Sequence, residues 1–355
     1  MQFSIAIPTD ADSWRLVRRA EELGFSAAWF YDTQMLSADC FVAMAAAAMK
    51  TTRIRLGTGV LIPSNRIPAV TANAFASLNK LAPGRIDFGV GTGFTGRRAM
   101  GLGAIRLAEM EDYIRVVQAL LRGEEVETEI EGKRRLIRLL NPDAGLINLA
   151  DPIPLYIAAS GPRSRALTAK LGAGWIDTAG FGDLTAGIRQ MQETWQAAGR
   201  SSDSLVAIGF SGGAVLEEGE PFDSARAIAV AGPRAVTLLH RAADKALAGF
   251  PNPVPVSDEL ADTVSAYVEH ASGFRPQGAG YLRNHRGHLM FVRDDERPFV
   301  TAELIRQMTF TGTLSALGQK VEALIAAGYT QIAISIPPGQ THAIEDWGRL
   351  RRMFA

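Results

Sequence analysis

The chain contains one cysteine, Cys40, and no excess of charge of either sign. A single cysteine excludes an internal disulfide and a cysteine-rich zinc site, and it suits a reducing compartment. Lys and Arg together number 37, as do Asp and Glu, so no net charge favours nucleic acid or an anionic membrane. The N-terminus has no basic leader, and no apolar run approaches the ~20 residues of a membrane-spanning helix. We expect a cytoplasmic protein with no nucleic-acid or membrane partner.

Short apolar strands alternate with helical segments along the whole chain. The predicted strands cover residues 3–8, 27–31, 54–60, 85–90, 154–159, 174–178, 205–210 and 331–336. A helix follows each strand, which is typical of the α/β fold class and of a (β/α)8 TIM barrel in one domain of residues 1–355. The alternative is a doubly wound open sheet, which often carries a Gly-x-Gly-x-x-Gly turn after strand 1. Strand 1 ends Ile7-Pro8-Thr9 here, so we favour the barrel.

Two segments interrupt this alternation. Residues 124–140 alternate apolar and polar side chains around Glu131-Gly132, which predicts a β-hairpin inserted before strand 5. Residues 231–301, between strands 7 and 8, are longer than a simple connection, and we expect them to form a lid over the active site. They contain His285 and His288, which could act there as acids or bases. The simpler interpretation, which we favour, is a solvated basic loop.

Few strong acids, bases or metal ligands are predicted at the C-terminal ends of the strands, where barrel enzymes carry their chemistry. No histidine precedes His240, which argues against a metal site. Every lysine falls in a predicted helix or in the hairpin, which argues against a Schiff-base aldolase. A glycosidase would need two carboxylates, and only Asp32 and Asp177 are available. The remaining glycines, hydroxyls, arginines and aromatics suit an organic cofactor that supplies the reactivity.

Two strand ends and one turn have the composition of a cofactor site. Residues 56–60 and 88–93, with the sequences Leu-Gly-Thr-Gly-Val and Phe-Gly-Val-Gly-Thr-Gly, end in glycines that let a flat ligand approach the backbone. The turn Ser160-Gly161-Pro162-Arg163 leaves strand 5 and opens a helix, so its amides and side chains can bind a phosphate. Taken alone, the turn is more simply an N-cap beside a solvated arginine.

At these residues the sequence resembles the bacterial luciferase-like flavin oxidoreductases, above all the branch that contains methylenetetrahydromethanopterin reductases. The resemblance rests on residues 56–60, on 153–162, and on Thr311-Gly312-Thr313 leading through 327–331 into strand 8. The family fold is a (β/α)8 barrel that binds FMN or its deazaflavin analogue, coenzyme F420. The resemblance therefore implies an oxidoreductase that acts on a small organic molecule and forms a homo-oligomer.

Carried over by position, the resemblance also implies the site residues. The ring lies against Asp32 and a cis peptide at Gly59-Val60, and its further contacts are Thr58, Thr92 and Gly93. The phosphate lies at Ser160, Gly161, Pro162 and Arg163, with Thr178 and Gly180 nearby. Asp32 and Thr33 are the implied catalytic residues, although Asp32 could equally cap the following turn. Phe94, His285 and His288 are the expected substrate or lid contacts, and no metal is expected.

Two departures from the family pattern concern the cofactor. Relatives often place a histidine after the strand-2 aspartate and an acidic residue after strand 4, whereas this chain has Asp32-Thr33 and the uncharged residues 91–95. Both absences weaken the case for deazaflavin. We therefore expect an FMN-dependent monooxygenase that uses O2 and reduced flavin, supplied bound or by a separate flavin reductase. The alternatives are hydride transfer with F420 and a barrel that binds flavin without catalysis.

Overall fold

Eight parallel strands close into a barrel in the computed structural model, which describes residues 1–177, 184–252 and 254–354. In chain order the barrel strands, β1 to β8, are Gln2–Ile7, Ala27–Phe30, Arg55–Thr58, Ile86–Val90, Leu155–Ala158, Gly174–Asp177, Ala207–Gly212 and Gln331–Ser335. Each strand pairs with its neighbours in the sequence, and β8 closes the barrel on β1 with Gln331 beside Gln2. The predicted barrel is confirmed, and the open-sheet alternative is wrong.

Helices surround the barrel and fill the long connection between β7 and β8. They are α1 (Trp14–Glu22), α2 (Cys40–Lys50), α3 (Pro68–Leu81), α4 (Phe94–Arg98), α5 (Leu107–Leu121), α6 (Pro162–Leu171), α7 (Leu184–Ala197), α8 (Ala225–Ala235), α9 (Thr237–Ala248), α10 (Asp258–Ser272), α11 (Tyr281–Asn284), α12 (Ala302–Met308), α13 (Leu314–Ala327) and α14 (Ala343–Arg352). Helix α4 was not predicted, because five residues are too short to show a hydrophobic period.

One glycine in β3 and one directly after it make room for a large side chain inside the barrel. Trp29 of β2 is 1% exposed, and its ring packs edge-on against that of Tyr156 at a centroid distance of 5.1 Å. A Cβ atom on Gly57 would lie 2.6 Å from the Trp29 ring, and one on Gly59 would lie 2.7 Å from the Trp29 Cβ. These glycines therefore accommodate the indole. The sequence prediction assigned them only to a flat ligand, because it could not show which side chain fills the barrel.

Both predicted insertions are present. The hairpin pairs Val126–Ile130 with Lys133–Ile137 in antiparallel register, and its turn is Glu131-Gly132. The second insertion is longer than the predicted 231–301: it runs from the end of β7 to α13 and includes a two-stranded parallel pair, Val215–Leu216 with Gly312–Thr313. Helix α8 of this insertion contains Pro233 and ends at Ala235. No helix in the described ranges is long and apolar enough to span a bilayer.

Candidate active site

A cavity of about 180 Å³ opens at the C-terminal ends of the barrel strands, and we call it the mouth cavity. This is the face on which enzymes of this fold carry their chemistry. Its walls come from the ends of six strands, β2 to β7, from α4, and from α8, α9 and Leu289 of the insertion. The lining residues are Tyr31, Asp32, Thr33, Gly59, Val60, Ile62, Gly93, Phe94, Thr95, Gly96, Ala158, Ser160, Ile176, Phe210, Ser211, Arg234, Arg241 and Leu289.

The structure brings some of the predicted site residues to this cavity and leaves others away from it. Those that line it are Asp32, Thr33, Gly59, Val60, Gly93, Phe94 and Ser160. Those that do not are Thr58, Thr92, Gly161, Pro162, Arg163, His285 and His288. Thr178 and Gly180 lie outside the described residues. The peptide bond between Gly59 and Val60 is cis, as the family resemblance implied.

Asp32 lies at the end of β2, and its carboxylate holds the loop that follows β3. Its Oδ2 accepts the backbone N–H of Ile62 and the Nδ2 of Asn65, both at 3.0 Å, and its Oδ1 accepts Nη1 of Arg66 at 2.9 Å. The side chain is buried. The alternative in which Asp32 caps the following turn is wrong, because among the described contacts its carboxylate accepts no backbone N–H of residues 33–37. Its predicted catalytic role remains a prediction.

The hydroxyl groups of Thr58 and Thr33 form hydrogen bonds with other residues of the protein. Thr58 donates to the carbonyl oxygen of Gly89 at 2.6 Å, which places its side chain between β3 and β4 rather than in the cavity. The hydroxyl of Thr33 lies 2.7 Å from that of Ser37. Alternation along β3 turns Thr58 away from the barrel mouth, and the sequence alone did not give the phase of that alternation.

The turn before α6 has the features of an anion site. Pro162 is the first helical residue, and within the described parts of the chain no side chain or carbonyl accepts the backbone N–H of Arg163 or Ser164. Free amides at a helix N-terminus attract a phosphate. The arginine tied to this turn is the buried Arg165, which donates to the Ser160 carbonyl at 2.6 Å, while Arg163 is exposed. Sequence reasoning chose Arg163 because it adjoins the turn and missed Arg165.

Two buried guanidinium groups from the insertion form a cationic wall of the mouth cavity. Burial lowers the pKa of Arg234 and of Arg241 to about 10 each, so both stay charged at neutral pH. Arg241 lies over the ring of Phe94, with 4.0 Å between its Cζ and the ring centroid. Beside them, the hydroxyl of Ser211 is buried and has no hydrogen-bond partner among the described residues. Sequence reasoning missed both arginines, because they lie on two separate helices of the insertion, α8 and α9, and no local pattern indicates that these helices reach the cavity.

Leu289 covers the mouth cavity from the insertion. Its backbone φ is 62°, a left-handed conformation that is uncommon for a residue with a branched side chain. Its side chain packs against the apolar cluster of the barrel interior, which includes Trp29 and Ile176. The predicted lid therefore has a counterpart in the segment around Leu289. The next residue, Met290, lines a separate, larger groove of about 850 Å³ that lies between α1 and α14 and reaches the C-terminal ends of β1 and β8.

Three imidazoles of the insertion form a buried cluster directly behind the cavity wall. His285 and His288 are 1% and 3% exposed, so the favoured interpretation of a solvated loop is wrong. They pack against His240, which sequence reasoning did not single out, and ring nitrogens of the three lie within 4.8 Å of one another. Nε2 of His285 lies 3.0 Å from Oδ1 of Asp244. A loop rich in arginine and glycine gives no sequence signal that its histidines turn inward.

Part of this cluster is a continuous series of hydrogen bonds that begins at the cavity. We call it the histidine chain; its members are Thr95, His288, His240 and Glu296. Thr95 Oγ1 lies 3.3 Å from Nε2 of His288, and Nδ1 of His288 lies 2.7 Å from Nδ1 of His240. Nε2 of His240 lies 2.5 Å from Oε1 of Glu296. Burial lowers the pKa of His240, and burial with nearby positive charge lowers that of His288 further, so both are neutral at pH 7.

The family model for luciferase-like monooxygenases matches residues 8–331. The chain is 25% identical over 348 residues to the 5,10-methylenetetrahydromethanopterin reductase of Archaeoglobus fulgidus, which covers 96% of this chain and 94% of the reductase. It is 43% identical over 146 residues to the F420-dependent glucose-6-phosphate dehydrogenase of Beutenbergia cavernae, which covers 39% of this chain and 42% of that one. The chain spans about half the length of the curated dehydrogenases it matches.

Among solved structures, the coenzyme F420-dependent tetrahydromethanopterin reductase from Methanopyrus kandleri superposes with a TM-score of 0.71. The superposition covers 100% of this chain and 99% of the reductase at 21% identity, which shows a shared fold. The family model extends from the end of β1 to the start of β8 and so includes the strand ends that form the mouth cavity. By that match the chain belongs to the luciferase-like monooxygenase family.

Proposed function

We propose that the protein is an oxidoreductase that transfers a hydride between a small organic substrate and coenzyme F420. The observation that carries the proposal is the similarity to a methylenetetrahydromethanopterin reductase over 96% of the chain. The F420-dependent dehydrogenases among its relatives support the same cofactor. These relatives favour the F420 alternative over the FMN-dependent monooxygenase that we expected from the sequence. A separate flavin reductase belongs to the FMN interpretation and is not needed with F420.

The mouth cavity has the chemistry that a deazaflavin ring needs. The cis Gly59-Val60 peptide and Phe210 offer flat surfaces, and the buried hydroxyl of Ser211 offers a hydrogen bond that no described residue takes up. Arg234 and Arg241 suit the electron-rich edge of such a ring, because both guanidinium groups remain protonated and positively charged at neutral pH. When bound, F420 would supply a two-electron hydride carrier, and the protein would supply position and electrostatics.

The helix α6 N-terminus would hold the phosphate of the cofactor's side chain. Ser160 belongs to both regions, because it lines the mouth cavity and precedes the first turn of α6. The unbonded amides of Arg163 and Ser164 and the helix dipole favour a dianion there. The expected phosphate contacts at Ser160 to Arg163 thus remain in the proposal, with the amides as the main donors.

Side-by-side titrations with F420 and FMN, each followed by the fluorescence of the cofactor, test the choice of cofactor. We expect F420 to bind about tenfold or more tightly than FMN, which corresponds to about 1.4 kcal/mol. We also expect Arg241→Gln to weaken F420 binding. Arg138→Gln, an exposed substitution in the hairpin, is the matched control and should leave binding unchanged. Tighter binding of FMN, with O2 consumption by its reduced form, would restore the monooxygenase interpretation.

We also propose that the chain forms a homo-oligomer through the outer face of α2 and α3. Val42 and Met49 lie seven residues apart on α2 and are 59% and 66% exposed, and Val70 on α3 is 51% exposed. Neighbouring exposed apolar side chains of this size are typical of a surface that another protein covers. A second copy of the chain is the occupant that the family resemblance implies.

A further inference from the structure

The histidine chain connects the mouth cavity with a buried carboxylate. Its first member, Thr95, lines the cavity, and its other members, His288, His240 and Glu296, are 3%, 0% and 0% exposed. Glu296 is held at the far end, because its Oε1 also lies 2.7 Å from Nη1 of Arg293. A hydrogen-bonded series with one end at a ligand cavity can move a proton without moving a heavy atom.

The geometry permits one arrangement of protons when both imidazoles are neutral. Burial tends to raise the pKa of Glu296, but its hydrogen bond with His240 and the charge of Arg293 hold that pKa below its usual value, so Glu296 only accepts. His240 must then carry its proton on Nε2, which leaves its Nδ1 as an acceptor. His288 must donate from Nδ1, which leaves its Nε2 bare. That bare nitrogen accepts the hydroxyl proton of Thr95.

We propose that Thr95 takes up the hydroxyl proton of an alcohol substrate in the mouth cavity and passes its own proton into the histidine chain. The inference rests on the proposed function and names the substrate class: an alcohol that is oxidised to a carbonyl compound, or the reverse. Thr95 is the residue that touches substrate. His288, His240 and Glu296 act through it.

The step balances in protons and electrons. F420, when bound, would accept the hydride released as the substrate C–H bond breaks, so that the carbon loses two electrons and a C=O bond forms. The substrate O–H proton moves to Oγ1 of Thr95, and the Thr95 proton moves to Nε2 of His288. The Nδ1 proton of His288 then moves to Nδ1 of His240. The extra proton rests on His240 beside Glu296, as an imidazolium rests beside the carboxylate of a Ser-His-Asp triad.

This assignment accounts for an absence in the sequence. The residue after Asp32 is Thr33, so no imidazole is present at the position where many relatives place one. In the structure an imidazole approaches the same cavity from the insertion, 193 positions from its partner Thr95. In this chain the candidate acid–base group therefore belongs to the segment that covers the barrel and not to a strand end.

The charges around the cluster favour a proton relay over a metal site. The ionic groups that face the imidazoles are Arg234 and Arg241 of α8 and α9, Arg293 and Glu296, Asp244, and Arg98 of α4. Positive charge from Arg234 and Arg241 acts on His288. That potential opposes a divalent cation, and it also keeps the histidine chain free of its extra proton at neutral pH. A base in that state can accept a proton from substrate.

Nitrogen-15 NMR of histidine-labelled protein without cofactor tests the resting arrangement directly. The chain has five histidines, so His→Gln variants can assign each ring. At pH 7 we expect the Nε2–H form of His240 and the Nδ1–H form of His288, and Thr95→Val should shift the resonance of His288 Nε2 only. An Nε2–H form of neutral His288 would overturn the proposal, because Thr95 would then not donate to it.

Steady-state kinetics test the step itself. Alcohols, beginning with glucose 6-phosphate and propan-2-ol, are first screened for reduction of F420, and the active alcohol is then used as the substrate. We expect Thr95→Val to lower kcat about 100-fold with KM and F420 affinity nearly unchanged. Thr95→Ser should recover kcat to within about fivefold of the original protein, since it restores the hydroxyl. We expect kcat of the original protein to fall at acid pH as the histidine chain gains a proton, and Thr95→Val should lose that dependence. Full kcat in Thr95→Val would overturn the proposal.

Two controls separate this inference from its alternatives. His270→Gln alters a partly exposed histidine of α10 outside the buried cluster and should leave kcat and its pH dependence unchanged. A stoichiometric transition metal that His285→Gln removes would overturn the relay in favour of a metal site. If the original protein does not bind F420, the proposed function is refuted. The NMR experiment uses protein without cofactor, so it would still decide the proton arrangement.

Discussion

Replacement of Asp32 by asparagine separates a structural role from a catalytic one. The carboxylate accepts N–H donors from Ile62, Asn65 and Arg66 at 2.9 to 3.0 Å and is nearly inaccessible to solvent. In Asp32→Asn one oxygen can still accept from Ile62 and Asn65, but the new NH2 group faces the guanidinium of Arg66. A lost hydrogen bond between charged groups costs about 1.5–3 kcal/mol, and a partly buried guanidinium left with a weaker partner adds to that. We expect a loss of about 3 kcal/mol in the free energy of unfolding.

Urea denaturation of the original protein and of Asp32→Asn at pH 7 measures this loss of unfolding free energy. A loss of about 3 kcal/mol corresponds to a decrease in Tm of about 4 °C for a chain of this length. The matched control is Asp39→Asn, which alters the other carboxylate on Arg66. That carboxylate is 45% exposed, and asparagine caps a helix about as well as aspartate, so we expect a loss of less than about 1 kcal/mol from the weakened ion pair with Arg66. F420 affinity should decrease in Asp32→Asn, because the loop after β3 carries Ile62 into the cavity wall. An unchanged stability with abolished hydride transfer would refute this reasoning and support the predicted catalytic role.

Three further predictions follow from packing, charge and surface. Gly57→Ala should lower the free energy of unfolding measured in urea by about 1–3 kcal/mol, because the new Cβ overlaps the Trp29 indole inside the barrel. The control Gly103→Ala should change stability little, because its new Cβ meets only an ordinary contact at 3.6 Å. Burial tends to raise the pKa of Asp295, but neighbouring cations lower it to about 2; the stability that this carboxylate contributes is therefore complete above pH 4 and is lost as pH falls through about 2. Asp295→Asn should flatten the acid side of the stability profile, and the exposed Asp294→Asn should not. Val42→Glu should shift the mass measured by light scattering toward the 38.1 kDa monomer, and an unchanged mass would exclude this face as the interface.

The fold was predictable from the sequence because its evidence is local. The alternation of short strands and helices predicted eight barrel units, and the family resemblance placed the cis peptide at Gly59-Val60, both of which the structure contains. Side-chain direction was less predictable. The hydroxyl of Thr58 turned out to bond Gly89 within the sheet, since the phase of β3 depends on how Trp29 fills the barrel.

The chemistry contributed by the insertion was not predictable from the sequence. Thr95 and His288 are neighbours only because the chain between them leaves the barrel and returns over its mouth. Arg234 and Arg241 lie on helices whose positions no local pattern specifies. Such long-range contacts decide which polar residues of an insertion are buried, and composition predicted a solvated loop instead.

The central claim is that a deazaflavin lies across the strand ends, with its ring in the mouth cavity and its phosphate at α6. A crystal structure of the protein soaked with F420 tests this most directly. We expect density for the ring against Gly59-Val60 and Arg241, and density for the phosphate at the amides of Arg163 and Ser164. Density only in the groove between α1 and α14, or none at saturating F420, would contradict the account.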